Sequence, residues 1–238
     1  MATKIGFPVR KHTDDYFFLF VTLLIAGVVF IGFAHSYYLA GLFHAKLPSP
    51  LVHIHGVFFT CWVLLLIVQV AMVSANRVSW HKRLGIFGMI LAGLMVVVGY
   101  ATLIAAVRRH AALGMSLESL FADDVLQLSV FAILVFWAFL ARKDGPAHKR
   151  LIILATVSLL GPALARWPFA FVFSSDLVFF GILDSFLIFM IAFDCWSHRR
   201  PHRVTVWGSL LIVGMQFLMA PLSHSWWWHQ FTAWVENL

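Results

Sequence analysis

The stretch LVHIHGVFFTCWVLLLIVQVAMVS, residues 51–74, contains no Asp, Glu, Lys or Arg. As an α-helix it is longer than the roughly 20 residues that cross the hydrocarbon core of a bilayer. Because backbone groups that face lipid must bond within their own segment, such stretches predict membrane-spanning helices. We expect an all-α, polytopic transmembrane bundle of seven helices and a single domain over residues 1–238, with spans at 16–34, 51–74, 84–107, 122–141, 151–173, 177–196 and 204–222.

The overall composition agrees with this interpretation. The chain is 62% hydrophobic and 11% charged, with a mean hydropathy of +0.91, whereas soluble domains are about half apolar and a quarter charged. No connection between the spans is long enough for a soluble domain, and the tail SHSWWWHQFTAWVENL (223–238) is predicted to be an amphipathic segment at the outer interface. Any chemistry must therefore occur within the bundle or at its rims.

The distribution of basic residues predicts the orientation. Of the 17 Lys and Arg residues, 13 lie in the N-terminal tail and the even-numbered loops; the four exceptions are Lys46, Arg108, Arg109 and Arg166. By the positive-inside rule, the N-terminus is cytoplasmic and the C-terminus is outside. The net charge of +7 is thus an orientation signal and a contact for lipid head groups, and it does not indicate a nucleic-acid partner.

Three of the predicted cytoplasmic turns are similar in sequence: VSWHKRLGIFG (78–88), PAHKRLIILAT (146–156) and, more weakly, RPHRVTVWGSL (200–210). They suggest that helix 1 is followed by three helical hairpins. Two interpretations of their basic residues are open, a phosphate or acidic-partner site and an interfacial anchor. We favour the anchor and expect these side chains to face lipid: His81, Lys82, Arg83, His148, Lys149 and Arg150.

The chain is rich in histidine, with 12 residues, none of them in the middle of a predicted span. This excludes a cytochrome b bundle that carries several haems. In HIHG, His53 and His55 are two residues apart and point about 200° from each other on a helix. We expect His55 to face the bundle, because His55, Trp62 and Gln69 recur at a spacing of seven on one face.

Several possible metal or haem ligands share the predicted outer end. A transition metal (Zn, Cu or Fe) needs three or four converging ligands, and haem b needs two axial histidines on facing helices. The candidate ligands are His55, His53, His110, His35, Asp123, Asp124 and His224. A single H-x-H is a weak motif, so polar residues at a water interface remain the alternative.

The expected pocket contains Gln69, Gln127, Arg166, Asp184 and Trp62. Because intramembrane charges normally pair, we expect an ion pair between Arg166 and Asp184. The prolines of GPALARWPF, residues 161–169, are expected to kink the fifth helix.

The segments HIHGVFFTCW, QVAMVSANRVSWHKRLG and AHKRLIILATVSLLGPALARWP resemble a group of bacterial seven-helix integral membrane proteins with H-x-H-G and repeated H-K-R-L motifs. The resemblance covers about residues 35–170. It implies a multi-pass protein of the bacterial cytoplasmic membrane, and it implies no activity and no functional residues.

Three functions are compatible with these observations. The first is binding of a transition metal or haem near the periplasmic face for redox or electron-transfer chemistry, with His55 as the first ligand. The second is a proton-coupled transporter or channel, in which Asp184, Arg166, Gln69 and Gln216 line a path. The third is a non-catalytic subunit of a larger membrane complex. The expected partners are membrane lipids, together with other membrane subunits or further copies of the chain.

Overall fold

The computed structural model describes residues 9–45, 48–111 and 115–238. Within these ranges the chain is helical and contains no strand. Lys4 and Lys46, two of the residues that predict the orientation, lie outside the described residues.

Nine α-helices are present in the described part of the chain. They are α1 (Val9–Phe33), α2 (Pro50–Ser74), α3 (Val78–Arg108), α4 (Leu117–Leu140), α5 (Gly145–Val157), α6 (Gly161–Leu164), α7 (Asp176–His198), α8 (Arg203–Ser223) and α9 (Trp226–Glu236). A π-helical turn, Ala34–Tyr38, extends α1, and a 3-10 turn, Ala170–Phe173, precedes α7.

Six of these helices are long and apolar enough to cross a membrane: Thr13–Tyr38, which includes most of α1 and the π-helical turn, and α2, α3, α4, α7 and α8. Their outward faces carry large apolar side chains, among them Phe87 (67% exposed) and Phe217 (78% exposed). Lipid accommodates such a surface better than water does. The chain is therefore a multi-pass membrane protein, and its six continuous helices match six of the predicted spans.

The predicted fifth span, residues 151–173, is not one continuous helix. Helix α5 ends at Val157, α6 is a single turn, and the chain is irregular from there to the 3-10 turn. Pro162 has no N–H to donate to the carbonyl of Ser158, four residues earlier, so the helical ladder is interrupted there. The expected kink is in fact a break, located beside the polar residues described below.

This broken segment runs along α1. At one end Lys149 donates to Asp14 (Nζ–Oδ2, 2.6 Å), and at the other Trp167 donates to the Val28 carbonyl (Nε1–O, 3.1 Å). A Cβ on Gly32 would overlap the Ala163 carbonyl, so α1 and α6 meet backbone to backbone. We call the end that contains the start of α5 the arginine end, and the end that contains the start of α4 the carboxylate end.

An apolar layer separates the two ends. It is formed by side chains that are at most 1% exposed, from α4, α5, α7 and α8: Phe131, Leu134, Leu154, Met190 and Ile212. Packing of this kind leaves little room for water between these side chains.

The C-terminal helix α9 covers the carboxylate end, where α3 ends and α4 begins. The Trp228 indole donates to the Glu118 carbonyl (Nε1–O, 2.9 Å), and His110 pairs with Glu236 (Nδ1–Oε1, 3.3 Å). Trp226 and Trp227 lie on its exposed face, at 62% and 77%. The segment has the amphipathic character expected of an interfacial helix.

Candidate functional site

A small cavity lies at the carboxylate end, between α4, the α5–α6 break, α7 and α8. Its volume is about 10 Å³, room for about one water molecule. Four polar side chains and the backbone of one glycine line part of the cavity, and apolar side chains, mostly of α7 and α8, line the rest. The polar members and the glycine are Asp123, Gln127, Ser158, Gly161 and Gln216.

Helix α4 contributes Asp123 and Gln127, which lie one turn apart on the same face. The Gln127 amide donates to Asp123 (Nε2–Oδ1, 2.5 Å), which fixes the direction of the amide. Its oxygen, Oε1, is buried and has no hydrogen-bond partner among the described residues. Because Gln127 is only 4% exposed, this oxygen is a strong acceptor left without a donor.

Gly161 makes room for this amide. A Cβ at position 161 would lie 2.6 Å from Gln127 Oε1 and 2.9 Å from its Nε2. The helix break therefore places bare backbone against the end of the Gln127 side chain. Any larger residue would displace the amide from the cavity.

Ser158 and Gln216 complete the polar lining. The Ser158 hydroxyl donates to the Ala155 carbonyl (2.8 Å), so its oxygen lone pairs stay available. Gln216 donates to Asp184 of α7 (Nε2–Oδ1, 2.9 Å), so its own oxygen also stays available. Asp123, Asp184 and Gln216 lie six to eight residues from the nearest helix end, about 9 to 12 Å deep at 1.5 Å per residue.

A second group of charges lies beside this cavity. Arg166, after α6, acts electrostatically on both Asp124 of α4 and His55 of α2. Its guanidinium donates to the Pro162 carbonyl (Nη1–O, 2.6 Å) and lies 5.0 Å from the centre of the Phe33 ring. Arg166 is thus a nearby counter-charge for Asp124, and it lies close enough to His55 to favour the neutral imidazole.

His55 is half-buried and stacks on Phe59, with ring centres 4.1 Å apart. Its Nδ1 is buried without a hydrogen-bond partner among the described residues. His53, on the other side of the helix, is exposed and contacts the Tyr37 hydroxyl (Nδ1–Oη, 3.3 Å). The two rings point apart, as residues two positions apart on a helix must.

The other candidate ligands do not join His55. His35 is exposed and packs on Phe43, His110 pairs with Glu236, and His224 contacts the carbonyl of Ala220 (Nδ1–O, 2.7 Å). No group of three or more His, Cys, Asp or Glu residues in ranges 9–45, 48–111 and 115–238 is placed to hold a metal ion.

Three pocket expectations are corrected. The predicted ion pair between Arg166 and Asp184 is absent from the described residues, because Asp184 bonds to Gln216 and Arg166 to Pro162. Trp62 belongs to the core, where it donates to Thr156 (Nε1–Oγ1, 3.1 Å). Gln69 lies at the arginine end beside His81, about four turns of α2 away from His55.

At the arginine end, the position of Arg150 differs from the one predicted from the sequence. Arg150 was predicted to face lipid, but its side chain is 1% exposed and pairs with Asp194 of α7 (Nε–Oδ1, 2.9 Å). The other carboxylate oxygen accepts from Thr205 (Oγ1, 2.6 Å) and from the backbone N–H of His202 (3.1 Å). The prediction for Arg150 is wrong, because this carboxylate lies within reach inside the bundle and a buried charge must be paired.

The remaining basic residues of the two H-K-R-L turns vary in their surroundings. Lys149 pairs with Asp14, and His148 contacts the Ala138 carbonyl (Nδ1–O, 2.8 Å). His81 is half-buried, and its ring centre lies 6.3 Å from that of His148. Lys82 and Arg83 are exposed, so these two alone have the open position that contact with lipid head groups requires.

The sequence reasoning missed Asp194 and Gly161. Asp194 lies near the end of an apolar helix, where a carboxylate close to a basic loop resembles an ordinary interfacial residue. Gly161 precedes a proline and resembles a simple breaker. In both cases the function of the residue is set by a side chain more than 30 positions away, Arg150 or Gln127.

Comparison of the chain with protein-family models, with curated proteins and with solved structures gives no match.

Proposed function

We propose that this chain carries protons across the bacterial cytoplasmic membrane, with Asp123 and Asp124 as the groups that take them up and release them. Ionisable residues within membrane helices are costly, and they commonly mark ion and proton pathways. The observation that carries the proposal is the position of Asp123: it lines a small cavity inside the bundle, and no Lys, Arg or His pairs with it in the described ranges.

The charges around these carboxylates support exchange of a proton. Asp124 lies near Arg166, which also acts electrostatically on His55. Asp184 is hydrogen-bonded to Gln216, and it is Gln216 that lines the cavity. Asp123 has no ion-pair partner among the described residues, so a proton can bind there without breaking an ion pair. Gln127 donates to the ionised carboxylate and stabilises it after the proton leaves.

The apolar layer between the two ends supports a carrier rather than an open channel. Phe131, Leu134 and Leu154 are fully buried and offer no hydrogen-bonding group to a proton that leaves Asp123. We therefore place the helix movement that transport requires at the α5–α6 break, where the helical hydrogen bonding is already interrupted. Discontinuous helices at the ion site are common in transporters.

The orientation and location belong to the same proposal. The basic residues favour a cytoplasmic arginine end and an outward carboxylate end. Exposed apolar side chains on the long helices make membrane lipids the main proposed partner. Other membrane subunits or further copies of the chain are proposed as additional partners.

Proton flux into liposomes tests the function. The purified chain is reconstituted with a trapped pH-sensitive dye, and a potassium gradient with valinomycin sets a negative interior. We expect acidification that exceeds the rate of empty liposomes and falls to that rate in Asp123→Asn. A wild-type rate equal to that of empty liposomes would contradict the proposal.

A metal or haem site is the second candidate, and one observation favours it. The Nδ1 atom of His55 is buried and unpaired within the described part of the chain, as a ligand nitrogen without its metal would be. The residues present supply one such ligand and not a complete site. Elemental analysis and an oxidised-minus-reduced spectrum of the pure protein test this. A colourless, metal-free sample, or a metal signal retained in His55→Ala, would rule it out.

A further inference from the structure

We propose that the cavity at the carboxylate end binds one dehydrated monovalent cation of the size of Na⁺, with oxygen ligands from Asp123, Gln127, Ser158 and Gln216. The inference deepens the proposed function and rests on it, because the cation would occupy the carboxylate that is proposed to take the proton. Na⁺ and H⁺ would then compete for one site.

The first argument is the set of free oxygen atoms. Gln127 Oε1 is unpaired and its residue is 96% buried, since only 4% is exposed. The Ser158 hydroxyl donates to Ala155 and one Gln216 N–H donates to Asp184, so the oxygen atoms of both side chains remain free to accept. The four oxygen-bearing side chains of the lining can all coordinate a cation, whereas a water molecule has only two hydrogens to donate to them.

The second argument is the helix break. Pro162 cannot donate to the Ser158 carbonyl, so α5 ends with a backbone oxygen that has no helical partner. The C-terminal end of a helix also carries the negative end of the helix dipole. In membrane transporters, unwound carbonyls and helix C-termini of this kind coordinate Na⁺.

Charge and size select the ion. Asp123 is the one carboxylate in the cavity lining, so a single positive charge neutralises the site. The space of about 10 Å³ admits one atom of the size of a water oxygen. Ca²⁺ takes six to eight oxygen ligands, and transition metals prefer nitrogen or sulfur, so neither fits this lining.

Equilibrium binding of ²²Na⁺ to the purified full chain in detergent tests the inference. We expect saturable binding of one Na⁺ per chain, displaced by unlabelled NaCl, at least 10-fold less by KCl, and not by choline chloride. Binding should weaken as the pH falls, because protons compete for Asp123. Absence of saturable binding, or equal displacement by K⁺, would overturn the inference.

Gly161→Ala is the sharpest variant. The three atoms nearest to its Cβ would all belong to the flexible end of Gln127, so we expect the amide to move away while the fold is kept. We expect Na⁺ affinity to fall at least 10-fold. Gly93→Ala is the matched control, because a Cβ there meets nothing within 4 Å, and it should bind as the wild type does.

Gln127→Met is a second variant, which keeps the side-chain length and removes Oε1, in case Gly161→Ala does not fold. Undiminished Na⁺ binding in Gln127→Met would overturn the inference. Proton flux in Na⁺-free liposomes separates the two proposals. Flux without Na⁺ binding contradicts only the cation site, and Na⁺ binding without flux contradicts only proton transport.

Discussion

Arg150 Nε donates to Asp194 Oδ1 at 2.9 Å, and the two side chains are 1% and 2% exposed. The pair joins the start of α5 to the end of α7 inside the bundle. The same carboxylate accepts from Thr205 and from the His202 backbone, so it also holds the start of α8. The Asp194 carboxylate thus makes contacts that join α5, α7 and α8 at the end opposite to the proposed ion site.

We predict that Asp194→Ala lowers stability by about 3 to 5 kcal/mol, because it leaves the Arg150 charge buried without a partner. Thermal unfolding in detergent should show a midpoint lower by roughly 10 °C. The double variant Arg150→Met/Asp194→Leu removes both charges and should recover most of the loss. An unchanged midpoint in Asp194→Ala would show that the pair does not stabilise the bundle.

We predict an acid-sensitive contribution from His202, which lies between α7 and α8. Burial, followed by the nearby Arg150 charge, lowers the pKa of His202 from its ordinary value of 6.5. The neutral ring accepts from the Val204 N–H (Nδ1–N, 3.3 Å) and caps α8. Because the folded-state pKa is the lower one, this stability is present above pH 6.5 and is lost as the pH falls below it.

His202→Asn tests this contribution, since Asn caps a helix but does not titrate in this range. Between pH 7.5 and pH 5 the variant should lose less thermal stability than the wild type. Equal losses would mean that other groups cause the acid sensitivity. Asp144, Asp194 and His198 also act on this ring and are unchanged in both proteins.

We predict that Gly32→Ala is strongly destabilising and Gly27→Ala is not. A Cβ on Gly32 would overlap the backbone of Ala163, which cannot move without displacing α6, whereas a Cβ on Gly27 meets nothing within 4 Å. Overpacking of this kind costs about 1 to 3 kcal/mol, while Gly→Ala in an open helical position is neutral or slightly stabilising. Equal unfolding midpoints for the two variants would contradict the backbone contact between α1 and α6.

We predict that Trp228→Phe loosens α9. The change removes the hydrogen bond from the indole to the Glu118 carbonyl, worth about 1 kcal/mol. Hydrogen exchange of the α9 amides should become several-fold faster. Trp227→Phe, at a site 77% exposed, is the control and should leave exchange unchanged. Unaltered exchange in Trp228→Phe would mean that other contacts hold the helix.

Much of the architecture follows from apolar runs. Six predicted spans are continuous helices, because an uninterrupted apolar stretch in lipid can satisfy its backbone only as a helix. The prediction of a continuous fifth span was wrong, because composition alone does not show how many helical backbone hydrogen bonds a Gly-Pro pair interrupts. Pro162 predicts a bend, but in the structure Gly161 also packs closely against the Gln127 amide within the break.

The site was less predictable, since it depends on which partners meet. Asp123 and Gln127 on one face of α4 were apparent from their spacing. The partner of Asp184 was not apparent: the sequence predicts Arg166, because intramembrane charges normally pair, whereas the structure gives Gln216. Arg150 was misplaced for a related reason: in H-K-R-L it looks like any interfacial cation, and only the tertiary fold brings Asp194 to it.

The central claim is that Asp123 takes up a proton inside the membrane domain, and infrared difference spectroscopy tests it most directly. Acid-minus-neutral spectra of the reconstituted chain report the carbonyl stretch of newly protonated carboxyl groups. We predict a band in the wild type that loses one component in Asp123→Asn, with that of Asp124 remaining, and is unchanged in Asp176→Asn, whose carboxylate lies at the exposed start of α7. A spectrum of Asp123→Asn identical to that of the wild type would contradict the account.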